Sequence, residues 1–448
     1  MRFIGKILLI VTGVLHCCAE SKVYTLDEIL NTGMKNSRSI KIIEQEMYKS
    51  ESEVQEIYGR ALPAANASVN MSHKFSPAEI TPSITSQNQL VNEMQNAIAA
   101  MMKPKESSAA FNIGVEQPIF AQGKIYFGLK LANKKRVTLN CKIQDEKQKV
   151  RGNIVKLYFG GLMAQRNVQI AFEHLKIATE THRIVLLRES IGTASEYDTL
   201  SSRLHKKNAQ ISYTNSESEL RLAYDKILSA SGLHVSLSTF ELYDSVPANE
   251  FSLSIDQVID QVKKNNFSIT QISGYREMYN YQVKLAVSDF MPLIYCGGSF
   301  GQIGQFDGID DIGNLIWSDD RKVYIGAKWD IFTGTARKEK IFQANVDRDI
   351  FELNSEQLVD NLVLETKRAY EKYITSKNQL DATDEVVWLA ERGLTLARAS
   401  YEAGSKIYLD MQNAELELQK AKMQHNSARY TYYCAVVDLQ ILMGNLLF

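Results

Sequence analysis

The chain states one long pattern twice, and that duplication restricts it to folds built from two copies of a single unit. Thr25-Leu26-Asp27-Glu28-Ile29, Lys35-Asn36-Ser37 and Leu62-Pro63 return as Ser254-Ile255-Asp256-Gln257-Val258, Lys264-Asn265-Asn266 and Met291-Pro292, at an ungapped offset of 229. Phe111-Asn112-Ile113-Gly114-Val115 with Ile119-Phe120 returns as Val323-Tyr324-Ile325-Gly326-Ala327 with Ile331-Phe332, at an offset of 212. The second offset also pairs Arg136 with Arg348, Tyr158 with Tyr370, Gly192 with Gly404, Asp198 with Asp410 and Gly232 with Gly444. The two offsets differ by 17, an insertion that falls in one loop of the first half.

At 448 residues the chain could hold two or three ordinary domains, but the repeat argues for two copies of one elongated unit. The expected division is a signal segment over 1–19, a first repeat over 20–232, a linker over 233–250 and a second repeat over 251–448. Arg2 and Lys6 precede an apolar run, Ile7–Leu15, and the small residues Cys17-Cys18-Ala19, with cleavage expected after Ala19. Beyond it no stretch approaches the roughly 20 apolar residues of a spanning helix. Export without a helical anchor is the resulting expectation. Cys17 and Cys18 stand where a lipoprotein signal places its acylated cysteine, although Leu15-His16 fit that pattern poorly. Cys141, Cys296 and Cys434 are far apart and odd in number, so they read as packing residues. No pair of them has the spacing of zinc ligands. A formal net charge of −1 and the absence of Lys/Arg runs leave no electrostatic footprint for nucleic acid.

Proline occurs at 63, 77, 82, 104, 118, 247 and 292, so 119–246 and 293–448 contain no helix breaker of that kind. Lys124–Ser190 is rich in Lys, Gln, Glu, Leu and Ala, and predicts a helix of roughly 100 Å at about 1.5 Å per residue. Its twin is Arg337–Ala403. Each runs into a tight turn, Ile191-Gly192-Thr193-Ala194-Ser195 or Ala403-Gly404-Ser405-Lys406. There Gly supplies a left-handed stop and Ser or Thr can cap the next helix. The return segments 195–230 and 406–443, and the leading segments 26–62 and 255–291, are helical in pattern and half as long. Two half-length helices stacked end to end match one long helix, which describes an antiparallel coiled-coil-like rod with a hairpin tip.

Between each leading helix and each long helix the period switches to two. Strands are expected at about 64–75, 109–120, 293–303 and 321–332, each with one apolar and one polar face. The only other elements are rods, so a lipid-facing surface with a polar lumen accounts for the apolar face better than a soluble core does. Four strands cannot close a barrel, since about eight are needed. Open edges are not tolerated in hydrocarbon. Several copies must therefore share one barrel, and three would give twelve strands with an aqueous bore.

These motifs, in this order and in duplicate, resemble the TolC-type outer-membrane efflux proteins over about Tyr24 to Gly444. The supporting residues are Thr25–Leu30 with Lys35-Asn36-Ser37, Leu62-Pro63, Val115-Glu116-Gln117-Pro118-Ile119-Phe120 and the two tips. The resemblance implies a mainly α fold with a β-barrel part. It implies a homotrimer whose twelve-stranded barrel in outer-membrane lipid continues into a twelve-helix periplasmic tunnel, with the 233–250 linker in a mid-tunnel belt. It further implies a passive exit duct for efflux or type I secretion in a Gram-negative-type envelope. A periplasmic adaptor would couple that duct to an inner-membrane pump of RND, ABC or MFS type, without catalysis or cofactor. Phe448 follows almost directly on the last helix, so a curtailed C-terminal part of the belt is expected.

The same resemblance assigns Asp410 to a ring of carboxylates at the periplasmic gate, and Asp198, Tyr401 and Lys406 to a clasp between hairpins. Asn413 stands where a second gate aspartate often lies. Gly192, Thr193, Gly404 and Ser405 match the adaptor-contacting tips. On residues alone, Asp410 is equally a solvated helix-start carboxylate favoured by the macrodipole, and the tip residues are turn chemistry. Trp329 reads either as an interfacial aromatic or as a packing residue. Loop 76–108, with the amphipathic stretch Leu90–Met102, is expected at the cell surface. His174 and His182 read as polar-face residues of one helix. The rival from another class is a periplasmic coiled-coil scaffold or adaptor without a pore, which explains the rods but not four alternating strands. An enzyme fits less well, since no nucleophile, base and orienting group recur together.

Overall fold

The computed structural model describes residues 22–73, 75, 88–101, 107–244, 252–306 and 316–445. The expected signal over 1–19 with Cys17 and Cys18, residues 76–87 and 102–106 of the long loop, and 245–250 of the linker lie outside the described residues. The chain forms two compact units, one built from 22–45, 140–271 and 355–445, the other from 46–139 and 272–354.

In chain order the elements are β1 (Lys22–Tyr24), α1 (Leu26–Asn36), α2 (Arg38–Gly59), β2 (Ala64–His73), α3 (Gln89–Met101), β3 (Ser107–Ala121), α4 (Lys124–Ser190) and α5 (Glu196–Ser231). They continue with β4 (Phe240–Leu242), α6 (Ile255–Asn265), α7 (Phe267–Ser288), β5 (Leu293–Phe306), β6 (Ile316–Lys328), α8 (Ala336–Glu402) and α9 (Tyr408–Leu442). The duplication reaches the element ends: α4 and α8 are both 67 residues long, α1 and α6 both 11, and α2 and α7 both 22. The leading segments, expected as unbroken helices, are each interrupted once, at Ser37 (ψ 122°) and at Asn266 (ψ 126°). Short polar side chains cause the break by offering the backbone an alternative partner. Asn266 Oδ1 accepts from Ser268 N at 2.9 Å, and Ser37 Oγ accepts from Ile40 N at 3.5 Å.

In the first unit, β1 and β4 pair in parallel, Tyr24 opposite Leu242. Capping boxes start α1 and α6: Thr25 with Glu28, and Ser254 with Gln257. The core gathers Ile29, Ile154, Val155, Tyr158, Ile227, Val258, Val262, Val436, Val437 and Leu439. It draws on both repeats, so neither half of the chain buries its apolar faces alone.

The second unit contains a four-stranded antiparallel sheet in the order β2-β3-β5-β6. The register slips between Pro118 and Phe120, where proline has no N–H to give the ladder. Paired residues share a face, so Ala65, Val69 and Met71 lie with Phe111, Ile113 and Val115, then Cys296 and Phe300, then Val323 and Ile325. The opposite face carries Asn66, Ser68, Asn70, Asn112, Glu116, Ser299, Lys322 and Tyr324. There Tyr324 covers Gly297 and Tyr295 covers Gly326 so closely that an added Cβ would come within 2.7 Å of either ring. The last strand is displaced from the expected 321–332. It begins earlier because Asp319 is held in the sheet by Gln302 (3.2 Å) and Arg321 (2.8 Å). It ends at Lys328, leaving Trp329–Phe332 outside, because Trp329 donates to the Phe290 carbonyl (3.0 Å) and Asp330 pairs with Arg337 (3.2 Å). Where sheet gives way to helix, Asp289 receives Lys124 at 2.7 Å and Lys340 at 2.6 Å, from the first turns of α4 and α8.

Candidate functional site at the hairpin tips

Both tips lie in the first unit and use the same turn. Gly192 and Gly404 each have φ of +74°, a left-handed conformation glycine adopts without a Cβ clash. Gly192 N donates to Glu189 O (2.9 Å) and Thr193 N to Arg188 O (2.8 Å). Gly404 N likewise donates to Tyr401 O (3.1 Å) and Ser405 N to Ser400 O (3.0 Å). These are two Schellman stops, and the Thr193 and Ser405 hydroxyls add a second bond to the same Arg188 and Ser400 carbonyls. Gly192, Thr193, Gly404 and Ser405 are all exposed.

The tips then diverge. In the first, Ser195 caps α5 and Asp198 completes the box: its carboxylate accepts from Ser195 N (3.1 Å) and Ser195 Oγ (2.8 Å), and its own N–H donates to Ser195 Oγ (3.1 Å). In the second, the equivalent cap is Ile407, which offers no side-chain bond. Asp410, the counterpart of Asp198, is exposed, and its carboxylate has no hydrogen bond or ion pair among the described residues. One aspartate is consumed by capping and its twin is left to face solvent.

Tyr401 is buried against Val185, Tyr408 and Met411. Its ring meets Tyr408 edge-on at 6.2 Å and carries the Arg188 guanidinium at 4.3 Å. Burial raises the Tyr401 phenol above its ordinary value, with Arg188 opposing the shift and Asp198 adding to it. Tyr401 and Asp198 are thus within electrostatic reach, but no hydrogen bond joins them among the described residues. Lys406 is exposed and makes no ion pair among the described residues.

A second polar group went unread in the sequence. Glu415 has a fully buried side chain that accepts from Thr181 Oγ1 (2.7 Å) and meets His205 Nε2 (3.2 Å), with Arg398 at 4.0 Å. His174 stacks edge-on against His205 at 5.1 Å and is buried with neither ring nitrogen hydrogen-bonded. It is therefore not the polar-face residue expected, whereas half-buried His182 pairs with Ser202 (2.7 Å). A signal was available: Tyr408, Met411, Glu415 and Leu418 recur on one buried stripe of α9, which places a carboxylate at a core position.

Comparison with known proteins agrees with this architecture. A model of the outer membrane efflux protein family matches residues 258–445. The chain is 21% identical over 349 residues to the outer membrane protein TolC of Vibrio cholerae, covering 77% of this chain and 78% of that one. It is 22% identical over 310 residues to the alkaline protease secretion protein AprF of Pseudomonas aeruginosa, covering 68% and 63%. Among solved structures, the Campylobacter jejuni CmeC outer membrane channel superposes with a TM-score of 0.74 at 16% identity, covering 94% of this chain and 85% of that one. In its duplicated helix–strand unit, in the family model matched over residues 258–445 and in these relatives, the chain is similar to the outer membrane efflux proteins.

Proposed function

We propose that this outer-membrane channel component, a transport protein and not a catalyst, works as a homotrimer in which each chain gives four strands to one twelve-stranded barrel and its helices to a twelve-helix periplasmic tunnel. The observation that carries the reading is the sheet. Among the described residues strands β2 and β6 each bond a single neighbour, and an exposed apolar face opposes a polar one. Unpaired edges are not tolerated in hydrocarbon, and sharing strands between copies removes them. A scaffold without a pore gives such a sheet no use.

The tips supply the gate in this reading. Three copies of the uncapped Asp410 ring the mouth, where they repel one another, favour cations and bind polyvalent ones. Asp198, Tyr401 and Lys406 hold the hairpins, and Lys406, without an ion pair among the described residues, is available to a neighbouring copy. Gly192, Thr193, Gly404 and Ser405, flanked by exposed Ile191, Tyr197 and Ile407, form the adaptor contact. The adaptor couples the duct to an RND, ABC or MFS pump, and the likeness to a protease secretion protein supports secretion beside efflux.

Cross-linking of detergent-extracted protein is expected to stop at three chains, and a stable monomer with its full strand signal overturns the assembly. In planar bilayers Asp410→Ala is expected to weaken cation preference and block by polyvalent cations. Unchanged block overturns the assignment of Asp410.

A further inference from the structure

Arg188 belongs to the last turn of α4, and its guanidinium makes three contacts with the end of α8. One terminal nitrogen donates to the Tyr401 carbonyl at 3.0 Å and the other to the Glu402 carbonyl at 2.9 Å, while the cation lies 4.3 Å from the centroid of the Tyr401 ring. The last carbonyls of a helix have no intrahelical donors and carry the negative end of its dipole. A cation from the other hairpin therefore caps α8 from outside. The planar fork of arginine can reach two adjacent carbonyls while stacking on a ring, which a lysine ammonium does not match. At the offset of 212 the counterpart of Arg188 is Ser400, and that of Tyr401 is Glu189. The strap consequently runs one way only, from the first hairpin to the second. The carboxylate of Asp198, the expected partner of the Tyr401 phenol, is meanwhile held by Ser195.

We propose that Arg188 is a positioning residue of the gate. It ties the end of α8, and with it Tyr401 and the turn that leads to Asp410, to the first hairpin of the same chain. Its release is the step that lets the second hairpin move and the mouth widen. This inference rests on the reading of the tips as the periplasmic gate. With the guanidinium gone, what remains at the joint among the described residues is the small apolar contact of Val185, Tyr401, Tyr408 and Met411 and the Ser201–Gln412 hydrogen bond (3.3 Å), with Thr181 and His205 holding Glu415 further from the tip. The division of labour then follows: Arg188 holds hairpin to hairpin within a chain, and Lys406 is left for contact between chains.

The test is single-channel conductance of the full trimer in planar bilayers for Arg188→Gln and Arg188→Lys, with Asp410→Ala as an independent reporter of the gate. Arg188→Gln is expected to raise conductance severalfold while heat-resistant trimers persist. Arg188→Lys is expected to fall between wild type and Arg188→Gln, because it keeps the charge over the ring but loses the fork. Wild-type conductance in Arg188→Gln, with polyvalent-cation block lost in Asp410→Ala, overturns the strap and leaves the gate standing. Wild-type behaviour in both variants overturns the gate reading itself. If Arg188→Gln does not assemble, Arg188→Lys decides: raised conductance in intact trimers supports the strap, and wild-type conductance overturns it.

Discussion

His174 is the residue whose surroundings make the strongest demand on solution conditions. Burial, reinforced by His205 and opposed by Glu415, pushes its pKa down to about 4. Four helices face it or its partners: His174 and Thr181 on α4, His205 on α5, Arg398 on α8 and Glu415 on α9. The unfolded chain takes up this proton near pH 6.5, whereas the folded chain holds the ring neutral until about pH 4. Stability is therefore fully present above the unfolded value and declines as pH falls through that window. The depression corresponds to about 3 kcal/mol at ~1.4 kcal/mol per unit. His174→Leu removes a buried group with unsatisfied nitrogens, so the melting temperature at pH 7.5 is expected to hold or rise. Between pH 7.5 and pH 5 the variant is expected to lose clearly less than wild type in thermal unfolding of the extracted protein. Equal losses in the two proteins would refute this account. Glu415 went unread, although its place as a carboxylate on the buried stripe of Tyr408, Met411 and Leu418 offered a signal. His174 offered none, because a lone histidine fits a polar face and a buried one equally well until the opposing helix is known.

At the level of elements, absence of proline and exact repetition of length made the long helices readable, and left-handed glycines marked both tips. What local pattern did not reveal was where a short polar residue interrupts: Ser37 and Asn266 look like ordinary helix positions until their side chains turn back on the backbone. The difference between the tips was likewise hidden, although its cause is a single residue. Ser195 draws Asp198 into a capping box, and Ile407 leaves Asp410 out of one. Ile407→Ser copies the first tip into the second at an exposed position. The new cap is expected to stabilise the start of α9 by about 1 kcal/mol and to recruit the Asp410 carboxylate. Polyvalent-cation block in planar bilayers should then weaken, though every carboxylate is still present. Block as strong as in wild type would show that capping does not govern the availability of Asp410.

On the scale of the whole molecule, the placement of apolar residues along the four strands carries the assembly argument furthest. On the apolar face the bulk moves from Val69 and Met71 on β2 to Ile113 on β3, to Cys296 and Phe300 on β5, and to Val323 and Ile325 on β6. Followed through the register, the centre of this band slides by three, two and then one residue from strand to strand, about 3.4–10 Å along a chain spaced ~4.8 Å from its neighbour. Such offsets correspond to strands inclined by roughly 35–65° to the normal of the band, a range that includes the ~35–45° tilt of outer-membrane barrels. The charges that break the face, Asp319 and Arg321 on β6, fall beyond that oblique band, and Arg321 pairs with Asp319 and covers Phe300 at 5.4 Å. The two faces should therefore respond to charge in opposite ways. Val323→Lys puts an ammonium on the apolar face, the one proposed to meet lipid, at a residue 94% exposed in the single chain. At about 2–4 kcal/mol per copy near mid-bilayer, heat-resistant trimers in outer-membrane fractions should be sharply reduced. Asn112→Lys, on the polar face, should leave trimers intact and shift the ion preference of the open pore towards anions. If the two substitutions exchange these effects, the lipid and lumen faces are reversed. If neither reduces the trimer, the sheet does not lie in the membrane.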